Sequence, residues 1–293
     1  MKVVLAGGSG QLGQQLLARV PVGVELSAPG RNELDIQSQR NVIAYCRSAQ
    51  PDLIINAAAY TAVDAAESEP EKAHGANAAG AESLAIAAAE VGARMLHVST
   101  DFVFDGQTSR PYLPDASTGP LSVYGHSKLA GEQLVTAVLA SQVSIVRTAW
   151  VYGPRRPNFV RTMIRLLLSR EELGVVDDQI GSPTSASGLA AAIWRATSLD
   201  ALPAIWHWTD SGVASWYDFA EAVRELSAQR WPGRLWGALR PITSQQYKTA
   251  AQRPSYSVLS KEQSYPLVGT PEHWRTALAH ELNGGDDGDW LPQ

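Results

Sequence analysis

The chain has 293 residues, of which 45% are apolar and 18% charged, with a formal net charge of −5 and a pI of about 5.7. This balance excludes a disordered chain and is typical of a globular protein with one large α/β unit and an added lobe. The acidic charge, with no basic cluster longer than Arg155-Arg156, argues against a nucleic-acid partner. No stretch approaches the roughly 20 apolar residues of a membrane span. Met1-Lys2 leads directly into VVLAGGSG, without the longer apolar region and cleavage site of a signal peptide, so we expect none.

Along the first 150 residues, short apolar runs alternate with longer amphipathic segments. The pattern predicts strands at residues 2–6, 24–28, 52–58, 94–99 and 143–150, and helices at 11–20, 38–49, 71–91 and 122–139. Further helices are expected at 160–169 and from about 184 to 195. We therefore predict a doubly wound parallel α/β sheet, Rossmann-like, with a smaller C-terminal substrate-binding lobe. The expected domains are 1–153, to which about 175–200 return, and mainly 154–293.

The sole cysteine, Cys46, excludes an internal disulfide and a cysteine-based zinc site. It fits a reducing compartment, so we expect a cytoplasmic protein without a bound metal.

A glycine-rich loop, GGSGQLG at residues 7–13, lies between the first strand and the first helix. Glycines allow a sharp turn and a close approach of backbone to a pyrophosphate, which then binds the free amides of the helix N-terminus. Two registers are open, one starting at Gly8 and one at Gly7, and both continue through Gly10 and Gly13. A tight turn without a ligand would also explain the glycines, but their position favours dinucleotide binding.

The end of the second predicted strand carries no acid to bind a ribose 2′-hydroxyl, since Ser27, Ala28 and Pro29 stand there. Arg31 follows and could pair with a 2′-phosphate, although it could also be an ordinary surface arginine. The sequence therefore favours NADPH over NADH, with NADH still possible.

Tyr124 and Lys128 lie four residues apart on a predicted helix, and therefore on one face of it. A neighbouring ammonium should lower the phenol pKa from about 10, and Ser122 could cap the helix start. A tyrosine tuned in this way can protonate a carbonyl oxygen during reduction by a nicotinamide. The alternative is an amphipathic helix with a buried tyrosine and an extended lysine.

Several motifs together resemble the extended short-chain dehydrogenase/reductases, and within them the dTDP-4-dehydrorhamnose reductases. They include NAAAYTAVDAAESEP (56–70), VSTDFVFDG (98–106), TAWVYG (148–153), DDQIGSPT (177–184) and AQRPSYS (251–257). The resemblance covers residues 1 to about 259. It implies NAD(P)H-dependent reduction of the C4 ketone of dTDP-4-dehydro-β-L-rhamnose to dTDP-β-L-rhamnose for polysaccharide synthesis.

The resemblance also implies roles for particular residues. The catalytic trio would be Thr100, Tyr124 and Lys128. Tyr124 would protonate the C4 carbonyl oxygen of the substrate, Thr100 would hydrogen-bond to that oxygen, and Lys128 would bind the nicotinamide ribose. Cofactor contacts are expected from Gly7, Gly10, Gln11, Leu12, Arg31, Asp35, Ile36, Ala57, Ala58, Tyr60, Tyr124 and Lys128. Substrate contacts are expected from Val63, Val103, Trp150, Asn158 and Arg253. Val103 and Trp150 could instead be residues of the hydrophobic core. Thr100 could instead be an ordinary turn residue at the end of a strand.

Some members of this family are thought to dimerise through magnesium held by glutamates near the first helix and after the GSPT-like motif. This sequence has Gln14, Gln15 and Gly188 in those regions, none of them acidic. We therefore expect a monomer or a weak homodimer without that metal.

Three related functions compete with the reductase. Nucleotide-sugar 4,6-dehydratases usually follow the threonine with Asp-Glu, whereas this chain has Asp101-Phe102. A 4-epimerase shares the trio, although the RPSYS segment favours a reductase. The regulatory subunit of methionine adenosyltransferase resembles the family without catalysing such a reaction, and the intact trio argues against it.

Overall fold

The computed structural model describes residues 1–199 and 201–292. In chain order its strands are β1 (Lys2–Ala6), β2 (Glu25–Ser27), β3 (Leu53–Asn56), β4 (Arg94–Thr100), β5 (Val143–Thr148), β6 (Val151–Tyr152), β7 (Glu172–Val176), β8 (Ile180–Gly181), β9 (Thr184–Ser185), β10 (Ile205–His207), β11 (Ala214–Ser215) and β12 (Ala238–Ile242).

The α-helices are α1 (Gln11–Leu17), α2 (Gln39–Ala49), α3 (Val63–Ala66), α4 (Pro70–His74), α5 (Gly80–Val91), α6 (Val123–Leu139), α7 (Phe159–Leu167), α8 (Ala186–Thr197), α9 (Trp216–Arg230), α10 (Tyr265–Val268), α11 (Trp274–Gly284) and α12 (Asp287–Trp290). A π-helical segment, Gly75–Ala79, joins α4 to α5, and short 3₁₀ turns cover Asp101–Val103 and Ala140–Gln142.

A six-stranded sheet in the order β10-β5-β4-β3-β1-β2 forms the centre of the molecule, and all its neighbouring strands are parallel. Every residue of β3 and β5 is buried, because helices cover both faces of the sheet. One face packs on α1 and α8 through residues such as Leu16 and Ile193. The other packs on α2, α5 and α6 through residues such as Val42 and Leu84. The predicted doubly wound α/β fold is confirmed.

The second cluster of secondary structure lies around α7, α9 and α11, with a core of its own that contains Tyr152, Phe219, Trp274 and Trp290. Three two-stranded pairs border it, namely β8 with β11, β7 with β12 and β6 with β9. Later parts of the chain also return to the large sheet, since α8 packs on α1 and β10 pairs with β5. The division into two domains stays a prediction.

Some predicted elements end earlier than expected, for local reasons. The first helix stops at Leu17 rather than Val20, which precedes Pro21 and therefore disfavours helical geometry. The fifth strand stops at Thr148, because Trp150 has a φ of 48°, outside the extended region. The helix predicted at 71–91 is present from Pro70 to Val91, but the π-helical segment interrupts its regular turns.

Candidate functional site

The glycine loop lies where the strand order reverses, between β1 and β3, which is where open α/β sheets bind ligands. Gly7 has a φ of +87°, and a Cβ there would lie 2.5 Å from the amide nitrogen of Ala58. A Cβ at Gly13 would lie 2.2 Å from the carbonyl oxygen of Gly7. Gly8 has no such backbone clash, since its closest neighbour is the Ala28 side chain at 3.0 Å. The structure therefore selects the register that begins at Gly7.

The turn after Gly7 places the N-terminus of α1 at the carboxyl edge of the sheet. The Gly10 amide donates to the Gly7 carbonyl at 3.0 Å, and α1 begins at Gln11. Amides in the first turn of a helix have no acceptor within it, so those of Gln11 and Leu12 are suited to an anion. The Leu12 side chain is buried in the core, which leaves its backbone for that purpose. Asn158 donates to the Gln11 side-chain oxygen at 3.0 Å and thereby connects α7 to the loop.

The loop after β2, whose Ala28 lies beside Gly8 of the glycine loop, carries an arginine. Arg31 is exposed, and Ser27 at the end of β2 shares a hydrogen bond of 2.6 Å with the Tyr45 hydroxyl. The nearest acid in sequence, Glu33, accepts the Gly30 amide at 3.0 Å. Asp35 accepts the Gln37 amide at 3.2 Å. The remaining predicted residue of this loop, Ile36, packs against Gly80 of α5.

The three predicted catalytic residues lie together at the carboxyl edge of the sheet. Thr100 ends β4, and the Ser122 hydroxyl caps α6 by accepting the Gly125 amide at 3.2 Å, as predicted. Tyr124, in the first turn of α6, is 8% exposed and meets Phe102 edge-on at 5.5 Å between ring centroids. The nearby Thr100 hydroxyl acts to lower the pKa of Tyr124.

The electrostatics of Tyr124 differ from the expectation. Burial raises the pKa of Tyr124 to about 12, the Thr100 hydroxyl opposes this rise, and the charge of Asp101 adds to it. The Lys128 ammonium, itself buried, donates to the Val98 carbonyl at 2.7 Å, and burial lowers the pKa of Lys128 to about 8. The net shift of the tyrosine pKa is therefore upward, opposite to the predicted lowering.

Asp101 is a buried acid directly beside the trio. Its Oδ1 accepts the Thr100 hydroxyl at 3.0 Å. Burial raises the pKa of Asp101 to about 6, against hydrogen bonds from Ser257 and Thr100 that lower it. Ser257, of the AQRPSYS segment, therefore lies near this acid at the end of β4.

Asn77, in the π-helical segment, is a site residue that the sequence did not reveal. Its side chain accepts the Tyr60 amide at 2.8 Å and donates to the Tyr60 carbonyl at 3.0 Å. It also donates to the hydroxyl of Ser127, next to Lys128, at 2.9 Å. A Cβ at Gly131 would lie 2.1 Å from the Asn77 carbonyl oxygen, so α6 approaches the π-helical segment closely. Asn77 thus fixes α6 relative to the loop after β3.

The two valines predicted to contact substrate have different surroundings. Val63 is partly buried and packs in a cluster with Tyr124 and Phe102, beside the trio. Val103 is fully buried in another cluster with Phe104. This burial favours the core-packing alternative for Val103, and its contact with substrate stays a prediction.

Trp150 belongs to an aromatic group at the boundary of the two cores. It lies two residues after Thr148, which pairs with Thr100 across the sheet. Its indole stacks on Trp216 at 3.5 Å between centroids and 8° between planes, and packs on Gly181. Phe159, next to Asn158, lies 4.6 Å from Trp216. The sequence did not single out Trp216, because no local pattern shows which aromatic residue stacks on Trp150.

Arg253 forms an ion pair that the sequence did not predict. Its two terminal nitrogens contact the two carboxylate oxygens of Asp64 at 3.1 and 2.7 Å. The guanidinium lowers the pKa of Asp64, which also accepts the Ala251 amide. Asp64 directly follows Val63 in α3, so the ion pair holds the Arg253 side chain against α3. The Nε group of Arg253 remains available to an anion.

Residues 1–199 and 201–292 contain neither a metal-binding cluster nor a helix able to cross a membrane. No group of three His, Cys, Asp or Glu side chains is arranged to hold a metal ion there. In the same ranges, no helix combines the length and apolar character needed to cross a membrane.

A glycine loop at the switch point, with a threonine from β4 and a tyrosine and a lysine from α6 at the same edge of the sheet, places the chain among the short-chain dehydrogenase/reductases. Within that class, the family model described as the RmlD substrate binding domain matches residues 1–285. The chain belongs to this family, and the resemblance drawn from the sequence motifs is confirmed.

Individual relatives align with almost the whole chain. The chain is 40% identical over 294 residues to the dTDP-4-dehydrorhamnose reductase of Escherichia coli K12, covering 97% of each protein. It is 39% identical over 282 residues to the spore coat polysaccharide biosynthesis protein SpsK of Bacillus subtilis, covering 96% of each. The crystal structure of the dTDP-4-dehydrorhamnose reductase of Bacillus anthracis in complex with NADP superposes with a TM-score of 0.91 at 34% identity, covering 97% of this chain and 99% of that one.

Proposed function

We propose that this protein reduces the C4 ketone of dTDP-4-dehydro-β-L-rhamnose to dTDP-β-L-rhamnose with NADPH. The observation that carries the proposal is the position of Thr100, Tyr124 and Lys128 at the carboxyl edge of the sheet, the edge at which the glycine loop also lies. The close similarity to dTDP-4-dehydrorhamnose reductases supplies the substrate.

The residues present fit a dinucleotide. Gly7 and Gly13 allow the backbone turn, and the amides of Gln11 and Leu12 form an anion site at the start of α1. Arg31 is exposed and suited to a 2′-phosphate, which favours NADPH. When bound, NADPH would supply the hydride.

The side chains of the trio would handle the proton. With its pKa near 12, Tyr124 retains its proton at neutral pH and can donate it from Oη to the C4 oxygen as negative charge develops there. Thr100 can donate a hydrogen bond to the same oxygen, giving up its bond to Asp101. Lys128, placed one turn after Tyr124, would provide positive charge beside the transferred proton and bind the nicotinamide ribose.

The decisive test of the reaction class compares three nucleotide sugars. We would incubate the purified protein and NADPH with the 4-keto-6-deoxy sugar, dTDP-glucose or UDP-glucose, following reduced-nicotinamide absorbance and product mass. A reductase oxidises NADPH with the keto sugar alone. Loss of water from dTDP-glucose, or interconversion of UDP-glucose without net oxidation, would instead show a dehydratase or an epimerase.

Arg31 gives a prediction about cofactor choice. Replacing Arg31 by Ala should lower kcat/KM for NADPH by about fivefold relative to that for NADH, since an exposed charge contact contributes about 1 kcal/mol. Initial rates with both cofactors measure the ratio. Arg40, an exposed arginine on α2, provides the control. Arg40→Ala should leave the ratio of the kcat/KM values for NADPH and NADH unchanged. An unchanged ratio in the Arg31 variant would mean that another residue selects the cofactor.

Arg253 gives a prediction about substrate binding. Replacing Arg253 by Ala should raise KM for the nucleotide sugar by about 10- to 100-fold, as expected for loss of hydrogen bonds to a charged diphosphate. Binding of NADPH, measured by fluorescence titration, should not change. Arg240→Ala, at a surface pair with Glu172, serves as the control. A normal KM in the Arg253 variant would assign the diphosphate to other residues.

A further inference from the structure

A buried ion pair lies one helical turn beyond Lys128. Glu132 of α6 accepts two hydrogen bonds from Arg147 of β5, Nε to Oε1 at 2.9 Å and Nη2 to Oε2 at 2.7 Å. The two side chains are only 4% and 3% exposed. Burying two charges costs solvation free energy, and a protein with a hydrophobic pair of similar volume in their place would often be equally stable. Stability alone therefore does not explain this ion pair, and we look for a functional reason.

Contacts on every side hold the arginine in place. Its Nη1 donates to the Pro114 carbonyl at 3.0 Å, and its guanidinium carbon lies 5.1 Å from the centroid of the Phe104 ring. Arg147 is itself a residue of β5, fixed by pairing with Ser99 of β4. The Glu132 carboxylate is therefore held in one position by a rigid cation.

Lys128 needs a negative partner in its buried position. Its ammonium hydrogen-bonds to a neutral acceptor, the Val98 carbonyl, and burial favours its uncharged form. The titratable group that faces it from β4 is His97, which is fully buried and whose pKa is well below its usual value because of burial and of Lys128. On its own helix, Glu132 is four residues away and favours the ammonium.

We propose that Glu132, clamped by Arg147, is a positioning residue that keeps Lys128 charged and aligned for proton transfer at Tyr124. The role in catalysis rests on the proposed function, but the charge of Lys128 can be measured without any turnover. Arg147 acts through Glu132, by holding its carboxylate in one orientation.

The test measures the titration of Lys128 directly. The chain contains five lysines, so ¹³Cε-lysine labelling gives a simple NMR spectrum, in which Lys128→Met assigns the signal. In Glu132→Gln, the titration midpoint of Lys128 should fall by about one pH unit, because an opposite charge nearby is lost. If the reaction is as proposed, the alkaline limb of the kcat profile should move to lower pH by a similar amount.

A second variant protects the test against misfolding. Glu132→Gln alone leaves a buried arginine unpaired, which is destabilising, whereas Glu132→Gln with Arg147→Met removes both charges and should unfold near the wild-type temperature. A downward shift is also expected in the double variant, smaller than in Glu132→Gln because the positive charge of Arg147, which opposes the Lys128 ammonium, is removed as well. The control, Glu221→Gln with Arg224→Met, removes a partly exposed pair on α9 and should leave the Lys128 midpoint unchanged.

The two proposals fail in different ways. An unchanged Lys128 midpoint in the folded double variant would overturn the positioning role, whether or not the wild-type protein turns over. A shifted midpoint supports the role even if the wild-type protein does not reduce the keto sugar, in which case the proposed reaction is the part that fails.

Discussion

Replacing Tyr124 by Phe is expected to lower kcat by about 10²- to 10⁴-fold, the range that general acid catalysis contributes. The substitution removes the hydroxyl that would protonate the C4 oxygen and leaves the ring, which packs edge-on against Phe102. Unfolding temperature and NADPH affinity should stay close to those of the wild type. Turnover of the keto sugar, thermal unfolding and fluorescence titration with NADPH measure these three quantities.

Tyr152→Phe provides a matched control for that result. Tyr152 is buried like Tyr124, and its hydroxyl has no hydrogen-bond partner within the described residues. The control should therefore retain normal kcat. A Tyr124→Phe protein with near-normal kcat would show that another group supplies the proton, and the mechanism would have to be abandoned.

Replacing Gly13 by Ala is expected to destabilise the protein by about 1–3 kcal/mol, because the added methyl group meets rigid backbone. The ideal Cβ position is 2.2 Å from the Gly7 carbonyl oxygen and 2.7 Å from the Gly8 Cα. The glycine loop must move to relieve the contact, and a displacement of about 1 Å can reduce turnover on the order of 10²-fold. Denaturant unfolding and NADPH titration measure the two effects.

The control for Gly13 is Gly284→Ala at the end of α11, where no atom lies within 4 Å of the added Cβ. It should change neither stability nor NADPH affinity appreciably. Equal NADPH affinity in the Gly13→Ala and wild-type proteins would argue against binding of the cofactor at this loop.

The large sheet and its glycine loop could be predicted from sequence, since both depend on local patterns. Buried parallel strands such as β3 are continuous apolar runs, and the loop directly follows the first of them. The register of the loop could not be predicted from spacing alone. It depends on the approach of Gly7 to Ala58, two residues that are 51 positions apart in the chain but adjacent across β1 and β3.

The site was predictable only where its residues form a motif. The spacing of Tyr124 and Lys128 placed them on one helix face, but the tyrosine pKa depends on burial and on Asp101, which spacing does not show. Asn77 was missed because its partners, Tyr60 and Ser127, are distant from it in the sequence, 17 and 50 residues away. Long-range pairs such as Arg253 with Asp64 were missed for the same reason.

The most direct test of the central claim is the stoichiometry of one reaction. The purified protein is incubated with NADPH and a limiting amount of dTDP-4-dehydro-β-L-rhamnose, and the sugar product is identified by mass and NMR. We predict one NADPH oxidised for each molecule of dTDP-β-L-rhamnose formed. Binding of NADPH without oxidation, with the keto sugar recovered unchanged, would contradict the proposed reaction.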